Sequence, residues 1–101
     1  MRTGSMLARV ALALALAGAP ALAGDASQDE ILAAVRAGEA RPLAEIEAMI
    51  APHLPGKVIR VEAERKRRGF IYEFKTLDAQ GRRAEVEVDA ATGEVLKVER
   101  K

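Results

Sequence analysis

The chain has 101 residues, half of them hydrophobic, with 16 Lys and Arg against 15 Asp and Glu and no Cys. That length holds one domain. The balanced charge excludes a globally basic nucleic-acid binder and an acidic disordered tail. The lack of Cys excludes a disulfide scaffold, a Cys-ligated zinc site and a thiol nucleophile.

Residues 1–23 have the three parts of a cleaved secretory signal peptide. Arg2 and Arg9 form the basic start, Val10–Ala19 is an unbroken apolar run, and Ala21-Leu22-Ala23 is a small-x-small cleavage signature. Ala17-Gly18-Ala19 is a competing site, but a cut there would leave Pro20 at the new terminus. Cleavage is therefore expected after Ala23. The segment Val10–Ala23 is shorter than the ~20 residues that span a bilayer, and no Cys follows it to carry a lipid. The processed chain is expected in the periplasm, with secretion as the other destination the signal permits. Losing Arg2 and Arg9 leaves the acidic residues one ahead of the basic ones. A chain this short buries only about 60% of its unfolded surface, so its core is thin.

Residues 24–27 read as a flexible leader and residues 28–101 as the domain. Ser27 and Glu30 have capping-box spacing, Asp29 adds negative charge to the first turn, and Gly38 is a helix stop. Ile31, Leu32 and Val35 recur at helical spacing, which predicts a helix from about Gln28 to Ala37. Pro42 suits the first turn of a second helix, on which Leu43, Ile46, Met49 and Ile50 share one face. Pro52 should end that helix at about Ala51, and Pro55-Gly56 turns the chain.

From Lys57 onward the period changes from 3.6 to 2. Ile59, Val61 and Ala63 alternate with Arg60, Glu62 and Glu64. Phe70, Tyr72 and Phe74 alternate with Ile71, Glu73 and Lys75, and Ala84, Val86 and Val88 with Glu85, Glu87 and Asp89. Leu96 and Val98 alternate with Lys97 and Glu99. These are four half-buried strands, joined by short turns at Lys66–Gly69, Asp78–Gly81 and Ala90–Gly93. Short links dictate an antiparallel meander. The expected fold is α+β, with two N-terminal helices packed on one face of a four-stranded antiparallel meander sheet (ααββββ). The aromatic residues belong to the covered face, with the Tyr72 hydroxyl near its rim. Val58, Ile71, Leu77 and Val95 fall on the open face, where a cluster of them would make a binding patch.

In this order the elements resemble a PepSY domain. The resemblance rests on the Pro42-Leu43 helix start after Gly38-Glu39, the aromatic strand Tyr72-Glu73-Phe74-Lys75, and above all the hairpin Val88-Asp89-Ala90-Ala91-Thr92-Gly93-Glu94-Val95. It covers residues 28–100 and is similar to the small exported single-domain PepSY proteins of proteobacteria. It implies a domain of the kind found in propeptides of secreted metallopeptidases, restraining a protease or acting as a binding module in the cell envelope. It implies no catalytic residues. The chain has no protease domain of its own to restrain, so a partner must be a separate envelope or secreted protein, with a peptidase foremost.

The residues by themselves give little to an enzyme. His53 is the only His and sits just past a helix end, where a surface role is the ordinary one. Ser27 is the only Ser after the signal peptide and is already used as a cap. No nucleophile, base and orienting group can be assembled from such parts, and no catalytic residue, cofactor or metal site is expected. The carboxylates Glu62, Glu64, Glu73, Glu85, Glu87 and Glu99 share the wet sheet face with Arg60, Lys75 and Lys97, which reads as a solvated, cross-paired surface. The run Arg65-Lys66-Arg67-Arg68 at the first hairpin is the candidate partner-binding site, for an acidic protein surface or the phosphates of envelope lipid. Arg82 and Arg83 flank the second turn and make a separate basic end. Nucleic acid is not an expected partner, because export removes the protein from it and no aromatic platform accompanies the charges. The expected function is a non-enzymatic exported regulatory module that contacts a peptidase. The alternative is a periplasmic sensor or carrier for anions, metal ions or lipid headgroups.

Overall fold

A computed structural model describes residues 22–67 and 69–101. The signal-peptide reading lies outside these residues except at Leu22–Ala23, and Arg68 lies outside them as well. Helix α1 spans Gln28–Arg36 and α2 spans Leu43–Ile50, followed by a 3-10 turn, Ala51–His53. Four strands follow: β1 (Lys57–Lys66), β2 (Gly69–Leu77), β3 (Arg83–Asp89) and β4 (Val95–Arg100). They pair antiparallel in sequence order. The expected α+β fold, two helices and then a four-stranded antiparallel sheet, is therefore the one observed. Leu22–Ala23 adds a two-residue strand, parallel to β1 at its outer edge.

The local signals act where the sequence places them. The Ser27 hydroxyl accepts from the Glu30 amide at 3.1 Å, and the Glu30 carboxylate accepts from the Ser27 amide at 3.2 Å, which closes the capping box of α1. Gly38 takes a φ of +77° just past that helix, a conformation that costs a side-chain-bearing residue far more. Pro52 lacks the N–H that another α-helical turn would need, so α2 gives way to a tighter 3-10 turn.

The core lies between the helices and one sheet face. Ile31, Ala34, Ile46 and Ile50 of the helices meet Val61, Ala63, Tyr72, Phe74, Val86 and Val88 of the sheet. Tyr72 and Phe74 are fully buried and pack edge to face, with ring centroids 6.5 Å apart. The Tyr72 hydroxyl donates to the Arg41 carbonyl at 3.1 Å, at the margin of the core as expected. Arg41 in turn donates from its own amide to Ala90 O (2.7 Å) and from Nε to Ala91 O (2.9 Å). The loop between the helices is thereby fastened to the third turn.

The inward set differs from the expected one at identifiable places. Ile59 is an extra residue between the pairs Val58↔Thr76 and Arg60↔Lys75. This β-bulge turns Ile59 outward, 50% exposed, and brings Val58 against the core. A second bulge at Leu96 sets Val95 opposite Val88 and leaves Leu96 exposed. In α1 the buried positions are Ile31 and Ala34, while Leu32 is exposed. The leader expected to be loose over residues 24–27 is instead seated on β1. Ala26 is buried and donates from its amide to Ala63 O at 3.1 Å, and the Asp25 carboxylate accepts from the Arg65 amide at 2.8 Å.

Candidate functional site

The basic hairpin divides into residues with different duties. Arg65 forms an ion pair with Glu30 of α1, and its amide is capped by Asp25. It ties the first helix to the sheet. Lys66 lies 3.4 Å from Glu64 on its own strand, and Arg67 is exposed in the turn. Among the described residues, the outward cations nearest the hairpin tip are therefore Lys66 and Arg67. Exposed pairs of this kind contribute little, ~0–1 kcal/mol each, and do not prevent a cation from meeting a stronger anion.

The opposite end of the sheet is basic too. The Cα pairing places Lys57 and Arg83 on either side of Leu77. The Lys101 amide donates to Arg83 O at 3.0 Å. Arg82, Arg83, Arg100 and Lys101 line a small cleft of about 50 Å³ with Pro55, Thr76, Asp78 and Ala84. Two separate basic ends were expected. The cleft adds Arg100 and Lys101 to the second, because the meander returns the C-terminus beside the second turn.

The open face between these ends is acidic at its centre. Glu62 pairs with Glu73, and Glu73 with Glu87, so three carboxylates lie in a row directly across three strands. The cations of Glu62 lie along the strand and on the diagonal, Arg60 at 3.1 Å and Lys75 at 3.0 Å, while Lys97 stands directly opposite Glu87. Glu62, Glu64 and Glu73 each bring an oxygen within 4.8 Å of the others, the one place among the described residues where three acidic groups converge. Two cations already serve Glu62, which offsets part of that charge. Val58, Ile71, Leu77 and Val95, expected on the open face, do not cluster into an apolar patch there. Val58 packs against the core, Ile71 is buried within the charged face, and Val95 stands opposite Val88 on the helix side.

Glu73 carries the electrostatic consequence of this arrangement. Its carboxyl is held above the ordinary value, first by burial and then by repulsion from Glu85, Glu64 and Glu62, with Lys75 opposing. A carboxyl with a raised folded-state pKa binds protons more tightly in the folded chain than in the unfolded one. Its contribution to stability is present at low pH and is lost as pH rises from the ordinary carboxylate range through the raised value. Glu73→Gln should therefore raise the melting temperature at pH 7 by a few degrees, since like charges directly opposed cost roughly 0.2–1 kcal/mol each. The gain should vanish below about pH 4, where wild-type Glu73 is protonated in both states. Thermal melts followed by circular dichroism from pH 3 to pH 8 would show it, and an equal gain at every pH would refute it.

The hairpin that carries the family resemblance proves to be turn chemistry. Asp89 Oδ1 accepts from the amides of Ala91 (2.7 Å) and Thr92 (3.1 Å), and Thr92 Oγ1 accepts from the Glu94 amide (3.1 Å). Gly93 takes a φ of +79°. Asp, Thr and Gly are each needed there for a different backbone reason, and the turn they hold is the one that receives Arg41.

Fold and turn together define a small α+β domain of two helices on a four-stranded antiparallel sheet. A family model described as "Peptidase propeptide and YPEB domain" matches residues 26–99, most of the chain. The chain belongs to this family, PepSY, whose domains are generally non-catalytic, regulatory and linked to peptidases. No curated protein and no solved structure matches it. No helix among the described residues is long and apolar enough to cross a membrane.

Proposed function

We propose that this chain is a non-enzymatic, exported regulatory module of the bacterial envelope that modulates a separate peptidase by direct contact. The observation that carries the reading is the family match over residues 26–99, to domains described by their place in peptidase propeptides. The contact assigned to it is the first hairpin. Lys66 and Arg67 stand outward there, next to Arg68 in sequence, while Arg65 anchors α1. A basic tip accelerates encounter with an acidic partner more than it tightens the final complex. The sequence of residues 1–23 supports export to the periplasm, with Gly24 as the new first residue.

The test uses Lys66→Gln, Arg67→Gln and Arg68→Gln together, sparing Arg65 so that α1 keeps its ion pair. The wild-type protein should slow casein hydrolysis by a peptidase of the same envelope. The triple variant should associate with that peptidase about tenfold more slowly at low salt, with a flatter salt dependence. Unchanged hydrolysis on adding the wild-type protein would overturn the peptidase reading. An unchanged association rate in the variant would remove the hairpin from the contact.

The second reading is an anion sensor, favoured by the cleft of Arg82, Arg83, Arg100 and Lys101. Under that reading inorganic phosphate or anionic lipid raises the melting temperature of the isolated protein.

A further inference from the structure

The two edges of the sheet are treated differently by the chain. The outer edge of β1 is covered by the segment before α1: Ala26 donates to Ala63 O and the Asp25 carboxylate accepts from the Arg65 amide, contacts that remain after cleavage at Ala23, while Leu22 and Ala23 add two pairs in the unprocessed chain. Among the described residues, no strand lies beside the outer edge of β4. Bare edges are pairing templates, and proteins usually blunt them. This one carries uncovered apolar side chains instead. Val98, opposite Val86 on the helix side, is 49% exposed, and Val95, opposite Val88, is 37% exposed. Met49 of α2 is 43% exposed and lies against Gly93, two residues before Val95, where an added side chain would meet its terminal methyl.

The direction of the backbone on this edge can be read from one bond. The Lys101 amide donates inward, to Arg83 O on β3. Alternation along an antiparallel strand then points the N–H and C=O of Glu99 and Lys97 inward as well, and those of Val98 and Arg100 outward. The bulge at Leu96 ends the regular ladder, so the usable edge is Lys97–Arg100.

We propose that β4 pairs antiparallel with β4 of a second copy of this chain, on a two-fold axis at Val98. The choice of occupant and register rests on charge. With Val98 opposite Val98, Lys97 of each copy faces Glu99 of the other, twice, on the open face, and the two valines meet on the helix side. Moving the axis by one residue either way still lets outward amides meet outward carbonyls, but it sets Lys97 against Lys97 or Glu99 against Glu99. Of these three registers, the one centred on Val98 also pairs opposite charges. The result is a continuous sheet through both copies, with each basic hairpin and each β1 edge outside the contact. So short an edge buries less than a standard interface, and association in the micromolar range follows rather than an obligate dimer.

Sedimentation of the purified, processed protein should show the mean mass rising from one chain toward two between micromolar and near-millimolar concentration. Lys97→Glu and Glu99→Lys should each abolish that rise, and the double variant Lys97→Glu/Glu99→Lys should restore it, because the reversed charges again face opposite ones. Circular dichroism checks that each variant is folded. Hydrogen exchange needs no variant: the Val98 and Arg100 amides should exchange more slowly as concentration rises, while those of Lys97 and Glu99 stay constant. A mass that stays at one chain throughout, as it would if the edge were reserved for a foreign strand, overturns the proposal. So do single reversals that still dimerise, or a concentration dependence absent at Val98 and Arg100.

Discussion

Phe74→Ala is expected to leave the domain largely unfolded at 25 °C. Phe74 is fully buried at the centre of β2, with Val61 of β1 on one side and Val86 of β3 on the other. Its ring packs edge to face on Tyr72, and Ile46 and Ile50 belong to the same buried cluster. Truncating such a residue costs about 3–5 kcal/mol, as transfer energy plus the cavity left behind. A core of this size rarely supplies more than about 3–5 kcal/mol in total, so one substitution can consume the whole margin. Urea titration followed by circular dichroism would show the loss of the folded baseline. Leu32→Ala is the matched control: Leu32 is 46% exposed, and its removal should cost under about 0.5 kcal/mol. A Phe74→Ala protein that melts within a few degrees of wild type would mean that the helices do not cover this face.

Gly56→Ala should cost about 1–3 kcal/mol, for a reason that the turn motif alone does not reveal. A methyl group at Gly56 would lie 2.7 Å from the carbonyl carbon and oxygen of Leu77 and 2.8 Å from the Asp78 nitrogen. All three are backbone atoms at the end of β2, where Asp78 is fixed by accepting from the Gln80 and Arg82 amides at 2.9 and 2.8 Å. A flexible side chain could swing away, but a backbone held by its own turn cannot. The melting temperature should fall by roughly 5–20 °C, at about 4–8 °C per kcal/mol for a domain of this length. Gly81→Ala is the comparison. Gly81 has a φ of +79° and nothing near its missing side chain, so that substitution carries a dihedral penalty of roughly 1–2 kcal/mol alone. A Gly56→Ala melting temperature equal to wild type would show that the Pro55-Gly56 turn can separate from β2.

The family resemblance and the proposed partner contact were legible to different degrees. Asp89, Thr92 and Gly93 stood out in the sequence because turn geometry needs their particular side chains, and the structure gives each one its bond or dihedral. The run Arg65–Arg68 also stood out, as four cations of equal standing. Its division could not be read there, because the partner of Arg65 is Glu30, distant in sequence and brought near by the packing of α1. The basic cleft of Arg82, Arg83, Arg100 and Lys101 has the same origin. So does the carboxylate row: alternation places Glu62, Glu73 and Glu87 on one face, but only the register sets them opposite one another.

Periodicity, caps and turn residues by themselves determined the element order, the antiparallel meander and which face of β2 and β3 is oily, since each depends on residues close along the chain. Tertiary structure alone decided what happens where the ladder slips. The bulges at Ile59 and Leu96 exchange the faces of Val58, Ile59 and Val95, because a strand has a period of two and one inserted residue inverts everything beyond it. It also decided which sheet edge is covered and which is left bare, as that depends on where residues 22–26 come to rest rather than on what β4 itself contains.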